Sequence, residues 1–283
     1  MSFVLPAKRG ALALGWVRDR HVFMAFVAGL AVAICWRSSM AGSLGQVAAA
    51  ILKDRSGVGA AELLVIGVTL SVVFALRDEN LLLRSDLLTI AVTALAFALP
   101  FRLAAIVPLT AVALKLMLRS DPRLSSIGQL LLALAFYEWL GPALFHLLSP
   151  VALQVETTAV QALLAPLGGF TRDGLTISGG ANGHSIAIEE GCSAFHNLSL
   201  ATLIWLSLVK LETLTMRPLH WRLLAAMAAA TVALNTVRIA VMAQSYPLYD
   251  YWHNGAGVPI LSAAMLGTIL AVFLVGRAFA ADR

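Results

Sequence analysis

Long apolar blocks separated by short charged clusters constrain this chain more than any other feature. Of its 283 residues, 60% are hydrophobic and only 12% are charged, whereas soluble proteins average about 25% charged residues. A transmembrane helix needs about 20 apolar residues to cross the ~30 Å core of a bilayer. The pattern therefore predicts an all-α polytopic membrane protein with about eight transmembrane helices, near residues 22–40, 59–76, 86–100, 102–118, 127–148, 193–209, 222–242 and 258–277.

Two of these boundaries need an argument. The third and fourth blocks form one apolar region, which as a single helix of about 48 Å would be too long for one span. Pro100-Phe101-Arg102 supplies a break, so we expect a helical hairpin. The first block resembles the core of a signal peptide, but the basic region before it is long and many apolar blocks follow. We interpret it as a retained helix.

The distribution of basic residues predicts the orientation. If the N-terminus is cytoplasmic, the inner helix ends carry about twice as many Lys and Arg residues as the outer ends. The inner set includes Lys210, Arg217, Arg222 and Arg277. The pattern places both termini in the cytoplasm of a multi-pass inner-membrane protein. The basic residues form no continuous face, so nucleic acid is excluded as a partner.

The longest non-apolar stretch, about 149–192, then lies outside. Its first part, 151–167, predicts an amphipathic helix at the outer surface, with Gln154, Glu156 and Gln161 on a solvated face. Alternating residues around Gly179-Gly180 and Asn182-Gly183 predict a small β-hairpin. The hairpin leads the chain to Gly191-Cys192. One integral-membrane domain covers 1–283, with its catalytic part at about 150–283.

Three polar residues are predicted to meet at the outer face. Cys192 opens a membrane helix, whose N-terminus favours the thiolate form. Counting ~1.5 Å per residue down that helix and up the next brings Arg238 to the same depth. His253 follows in the next outer loop. A thiolate, a guanidinium and an imidazole together suit acyl transfer. No metal or cofactor is expected, and a Cys35–Cys192 disulfide stays open at this point.

Three further residues are weaker candidates for a supporting role. Asn235 lies three residues before Arg238 and is suited to hold it by a hydrogen bond, or to pack between helices. His196 lies four residues after Cys192 on the same helix face. It is a candidate alternative base or orienting group. Glu190 is a candidate site carboxylate, although an exposed loop charge is the simpler interpretation.

These residues resemble a known family. Gly191-Cys192-Ser193-Ala194-Phe195 is similar to the cysteine motif of the exosortase/archaeosortase family, which commonly has Ala and Gly where this chain has Gly191 and Ala194. Asn235-Thr-Val-Arg238-Ile239 is similar to its Asn-x-x-Arg-Ile motif, and His253 to its last motif. The resemblance implies a membrane cysteine protease/transpeptidase. Its substrates would be membrane-anchored proteins with a C-terminal sorting signal, cleaved at the outer face and passed to an unknown acceptor nucleophile.

Two other classes of function stay open from sequence. A transporter or lipid-binding membrane protein is compatible with many apolar helices, although it predicts polar groups near mid-bilayer. A cysteine-dependent membrane acyltransferase would use the same thiol on a different acyl group. The clustering of polar residues at one rim favours an enzyme over a transporter.

Overall fold

The fold is known from a computed structural model that describes residues 19–40, 60–76, 82, 84–97 and 102–281. The described part of the chain is mostly helical (82%). The helices are α1 (Asp19–Met40), α2 (Ala60–Phe74), α3 (Arg84–Phe97), α4 (Arg102–Met117), α5 (Pro122–Ala135), α6 (Gly141–Leu164), α7 (Ala194–Glu212), α8 (Pro218–Met242), α9 (Tyr246–His253) and α10 (Gly257–Ala281). Residues 1–18 and the break predicted at Pro100-Phe101 lie outside the described residues.

Four helical segments of the described chain are long and apolar enough to cross a membrane: Gly141–Leu167, Ala194–Glu212, Pro218–Met242 and Gly257–Phe279. Four shorter apolar stretches lie at His21–Ala31, Ala61–Phe74, Ser85–Ala96 and Val107–Met117. The fold is thus all-α with four candidate membrane-spanning helices. α3 and α4 are separate helices that pack against each other, as a helical hairpin requires.

The fifth predicted block has different boundaries in the structure. A π-helical turn, Phe136–Leu140, joins α5 to α6. Here the Gly141 N–H donates to the Phe136 carbonyl. A Cβ on Gly141 would lie 2.7 Å from that oxygen, so the wide turn requires glycine. The break expected near residue 149 is absent, and α6 continues without interruption to Leu164.

The prediction of a separate surface helix over 151–167 is therefore wrong. Pro150 has no N–H and leaves the His146 carbonyl, four residues earlier, without its helical partner. The Ser149 hydroxyl lies 3.1 Å from that carbonyl and 2.7 Å from Glu190 Oε1, so its single proton is shared between these two acceptors. This shared side-chain bond partly replaces the missing backbone bond, and the helix tolerates its proline.

The N-terminal helices form the first hydrophobic core. Helices α1 to α5 pack around it, and α7 contributes Leu203. Its fully buried side chains include Phe23, Leu109 and Leu130. A second core joins α6 to the end of α8, and a third joins α7, α8 and α10. Helix α7 therefore contacts both the N-terminal helices and the C-terminal ones.

A small antiparallel sheet lies over the second core. Its strands are β1 (Thr171–Asp173), β2 (Thr176–Ser178) and β3 (Ser185–Ala187), in the order β1-β2-β3. The segment predicted as a hairpin forms β2 and β3, with Ile177 opposite Ile186. Both isoleucines are buried. β1 was not predicted.

The β2–β3 loop is bound to the C-terminal end of α8. The Ala181 N–H donates to the Gln244 carbonyl at 2.7 Å. The His184 Nε2 lies 3.1 Å from the Met242 carbonyl. Carbonyls at the C-terminal end of a helix lack hydrogen-bond donors from within the helix, and these two contacts provide donors for them. The sheet is thereby held beside the turn that leads from α8 to α9.

Candidate active site at the start of α7

Cys192 lies immediately before the first turn of α7. It ends a 3₁₀ turn, Glu190–Cys192, and Ser193 follows as the N-cap of α7. The Ser193 hydroxyl accepts the Phe195 N–H at 3.2 Å. Serine is among the preferred N-cap residues, which explains why the helix begins here. The thiol is free and 7% exposed, and it belongs to the second hydrophobic core. Cys192 thus forms no disulfide in this structure.

Glu156 of α6 holds the same helix start from across the core. Its Oε1 accepts the Ser193 hydroxyl at 2.6 Å and the Ala194 N–H at 3.1 Å. Its Oε2 is buried and has no hydrogen-bond partner among the described residues. The prediction that Glu156 belongs to a solvated face is wrong, whereas Gln154 is exposed as expected. A carboxylate at a helix N-terminus is stabilising because unpaired N–H groups converge there.

Asn235 of α8 contacts the cysteine directly. Its Nδ2 donates to the Cys192 carbonyl at 2.8 Å, and Asn235 is 1% exposed. The sequence predicted a hydrogen bond between Asn235 and Arg238, but the side chain of Asn235 binds the Cys192 carbonyl. Asn235 instead fixes the backbone that carries the thiol. The backbone at Cys192 is therefore held by α8, and the two residues that follow it are held by Glu156 of α6.

Arg238 lies one helical turn after Asn235 on α8. Its Nε donates to the Trp252 carbonyl at 3.1 Å, next to His253. The guanidinium is near enough to Cys192 and Tyr249 for electrostatic interaction with both. Since Nε is occupied, the two terminal nitrogens are the part of the guanidinium that can act on a neighbouring group. The arginine thereby binds the end of α9 and lies near the thiol.

His253 is the last residue of α9. Its ring stacks on Tyr249, with centroids 4.9 Å apart and planes 14° from parallel. Its Nδ1 is buried and has no hydrogen-bond partner among the described residues. Within the described chain, no hydrogen bond joins the Cys192 thiol to Arg238 or His253. Catalytic hydrogen bonds in substrate-free sites are often long and shorten only when the substrate binds.

The two remaining candidates lie to the side of this group. Glu190 accepts the Ser149 hydroxyl at 2.7 Å and contacts His146 Nδ1 at 3.0 Å. The hydrogen bond from Ser149, followed by the one with His146, holds the pKa of Glu190 below its usual range. His196 is exposed and its ring lies 5.7 Å from that of Tyr137. Glu190 thus ties the cysteine turn to α6, while His196 faces the π-helical turn.

Tyr249 is a site residue that the sequence did not reveal. Tyr249 lies beside Tyr251 and Trp252 in the sequence, and such an aromatic cluster is typical of a membrane interface. In the structure it packs on His253 and against the core that contains Cys192. Burial, and to a smaller extent the nearby charges of Cys192 and Glu189, raise the pKa of the Tyr249 hydroxyl. A stacked, partly buried tyrosine restricts the orientation of the imidazole.

The Glu156 contacts lead to a prediction about stability. Replacing Glu156 with alanine removes the acceptor of two hydrogen bonds at the start of α7. We expect the free energy of unfolding to fall by about 1–2 kcal/mol, the size of a lost helix cap. Thermal unfolding of the purified protein in detergent measures this. Gln154→Ala, on an exposed position of the same helix, is the control; equal melting temperatures for the two variants would contradict the role.

The structure brings a thiol, a guanidinium and an imidazole to one end of α7, α8 and α9. A buried asparagine and a capping carboxylate hold the thiol in place. Among the described residues, no three His, Cys, Asp or Glu side chains converge as metal ligands would. The group can support nucleophilic attack by the thiol, with a cation and a proton carrier nearby. No family model, curated protein or solved structure matches the chain.

Proposed function

We propose that this chain is a membrane-embedded cysteine protease/transpeptidase that cleaves C-terminal sorting signals of exported proteins. The observation that carries the proposal is the anchored thiol of Cys192 at a helix start, close enough to Arg238 for electrostatic interaction. The resemblance of the three motifs to the exosortase/archaeosortase family supports the same reading. Arg238 in turn binds the backbone next to His253.

The proposal includes a membrane arrangement. About eight helices would cross the inner membrane, four of them the long apolar ones. Both termini would lie in the cytoplasm, in agreement with the bias of basic residues. The site would then lie at the outer face, in the last third of the chain. A substrate anchored by its own C-terminal helix emerges from the bilayer at this level. Its cleavage site would therefore reach the thiol while its anchor helix stays in the membrane.

The chemistry follows from the roles of the three groups. His253 takes the proton of Cys192, and the thiolate attacks the scissile carbonyl carbon. Arg238 stabilises the negative charge that develops on the carbonyl oxygen. The C–N bond then breaks, and His253 gives its proton to the leaving amine. The thioester that remains is attacked by an acceptor nucleophile or by water, which passes a proton through His253 and restores the thiol.

Trapping the thioester tests the proposal. Cells that produce the protein are quenched in acid, and the peptide that contains Cys192 is analysed by mass spectrometry with and without hydroxylamine. We expect a peptidyl adduct on Cys192 that hydroxylamine removes, because thioesters are cleaved by this nucleophile. Cys192→Ser is the control, since an oxygen ester resists neutral hydroxylamine.

The identity of the adduct separates the competing functions. A fatty acyl group would instead indicate a cysteine-dependent membrane acyltransferase. Complete absence of a Cys192 adduct, under conditions where a candidate substrate is processed, would contradict a covalent mechanism altogether. A transporter or lipid-binding protein predicts no adduct and no processing.

A further inference from the structure

A cavity lies at the end of the bundle away from Cys192. It has a volume of about 310 Å³ and lies between the end of α7, the start of α8 and the last turns of α10. Helix α7 separates it from the thiol by the ~28 Å length of its 19 residues. The volume is at the lower end of the range of ligand sites, roughly 300–1,000 Å³. This cavity is therefore large enough for a ligand and distinct from the candidate active site.

The walls of the cavity are rich in cations and hydrogen-bond donors. Its lining includes Glu212, Thr213, Arg217, His220 and Arg277. Glu212, the only carboxylate among the lining residues, pairs with Arg277 through Oε1 and Nε at 2.6 Å. Arg217 makes no ion pair with the residues that the structure describes. The negative charge of Glu212 is thus neutralised by Arg277, and the positive charge of Arg217 has no counter-charge among the described residues.

His220 adds a directed donor to this wall. Its Nδ1 accepts the backbone N–H of Arg217 at 3.0 Å. A ring nitrogen that accepts carries no proton, so in the neutral ring the proton lies on Nε2, which is then a donor. The buried ammonium of Lys210 is near enough for electrostatic interaction with the same ring. The cavity therefore favours an anion with several oxygen acceptors.

The rest of the cavity is apolar and faces exposed hydrophobic surface. Leu223 and Phe273 line it beside Gly276. A Cβ on Gly276 would lie 2.5 Å from the Leu223 side chain, so glycine permits the close packing of α8 and α10 here. Trp221 and Phe279 near the same helix ends are each 59% exposed. Exposed aromatic residues at helix ends are typical of a membrane interface.

We propose that this cavity binds a phosphate ester, and that the ester is the headgroup of an anionic glycerophospholipid. Arg217 and His220 would bind the phosphate oxygens, since a guanidinium matches their geometry. The acyl chains would lie along the apolar surface of α10. Basic pockets between membrane helices are established sites for anionic headgroups. The site does not depend on the activity proposed for Cys192.

Lipid binding to the delipidated full-length protein in detergent tests this. Native mass spectrometry compares phosphatidylglycerol, phosphatidylcholine and inorganic phosphate as probes. We expect phosphatidylglycerol to bind at least tenfold more tightly than phosphatidylcholine, whose choline cation opposes the arginine. Arg217→Gln should weaken phosphatidylglycerol binding about tenfold, while Arg217→Lys should retain part of it. Arg222→Gln is the matched control, because Arg222 is an exposed cation on the same helix and does not line the cavity.

Each outcome decides one part of the proposal. Equal binding of phosphatidylglycerol to the wild type, Arg217→Gln and Arg222→Gln would overturn the site. Competition by inorganic phosphate at the affinity of the lipid would keep the anion site but overturn its lipid occupant. Melting temperatures of the lipid-free variants show whether each variant is folded. If Arg217→Gln does not fold, Arg217→Lys still tests the site.

Discussion

Replacing Cys192 with alanine is expected to abolish processing of membrane-anchored substrates and to leave the fold intact. The reaction rate should fall by at least ~10⁴-fold, as for the removal of other covalent nucleophiles. The backbone contacts of residue 192 persist, because Asn235 binds its carbonyl and not its side chain. Loss of one sulfur atom from a 7% exposed position leaves only a small void, so the melting temperature should change by no more than a few degrees.

The measurement is the conversion of a coproduced candidate substrate, followed by immunoblot in membranes that contain equal amounts of enzyme. Cys35→Ala is the matched control, since Cys35 is the only other cysteine in the chain. It should process substrate at the wild-type rate. Normal processing by the Cys192→Ala protein would remove the thiol from the mechanism.

Replacing Arg238 with glutamine should give the second largest loss. The change removes the cation that interacts with Cys192, and it removes the donor bonded to the Trp252 carbonyl. Loss of one oxyanion-stabilising group typically lowers kcat by about 10²–10³-fold. Arg238→Lys retains the charge but has no Nε to reach the end of α9, so we expect an intermediate rate.

The same processing assay compares these variants, with Arg222→Gln as the control at the opposite end of α8. A positioning role alone predicts equal rates for Arg238→Lys and Arg238→Gln, because both lose the Nε contact. A purely electrostatic role predicts that lysine restores nearly full activity. Wild-type activity of Arg238→Gln would exclude the arginine from the reaction.

The sequence predicted the helical regions well because apolar residues recur over whole helices. The seventh block, near 222–242, lies within α8 (Pro218–Met242), and the eighth lies within α10. Counting residues along consecutive helices predicts that Arg238 comes near Cys192, since helical rise is nearly constant, and the two groups interact electrostatically in the structure. Such properties depend on local sequence and need no knowledge of tertiary contacts.

What the sequence could not reveal depends on contacts between distant segments. Glu156 caps a helix that begins 38 residues later, and no local pattern marks such a partner. The break predicted near residue 149 is absent because the helix continues through Pro150 to Leu164, and Ser149 there contacts Glu190 from a segment 41 residues away. The stacking of Tyr249 on His253 likewise depends on how α9 folds, and an aromatic cluster in the sequence is equally typical of a membrane interface.

The π-helical turn between α5 and α6 sets the angular relation between the two halves of this chain. Each residue advances a helix by ~100°, so the extra residue held in a π turn rotates all later side chains by that amount relative to earlier ones. Upstream of Phe136, α5 faces the core of the N-terminal helices; downstream of Leu140, α6 faces the sheet and Cys192. The turn therefore allows two helices that are continuous in the chain to pack into two different hydrophobic cores. Loss of a single residue there would direct Glu156 away from the cysteine, while both helices kept their length and composition.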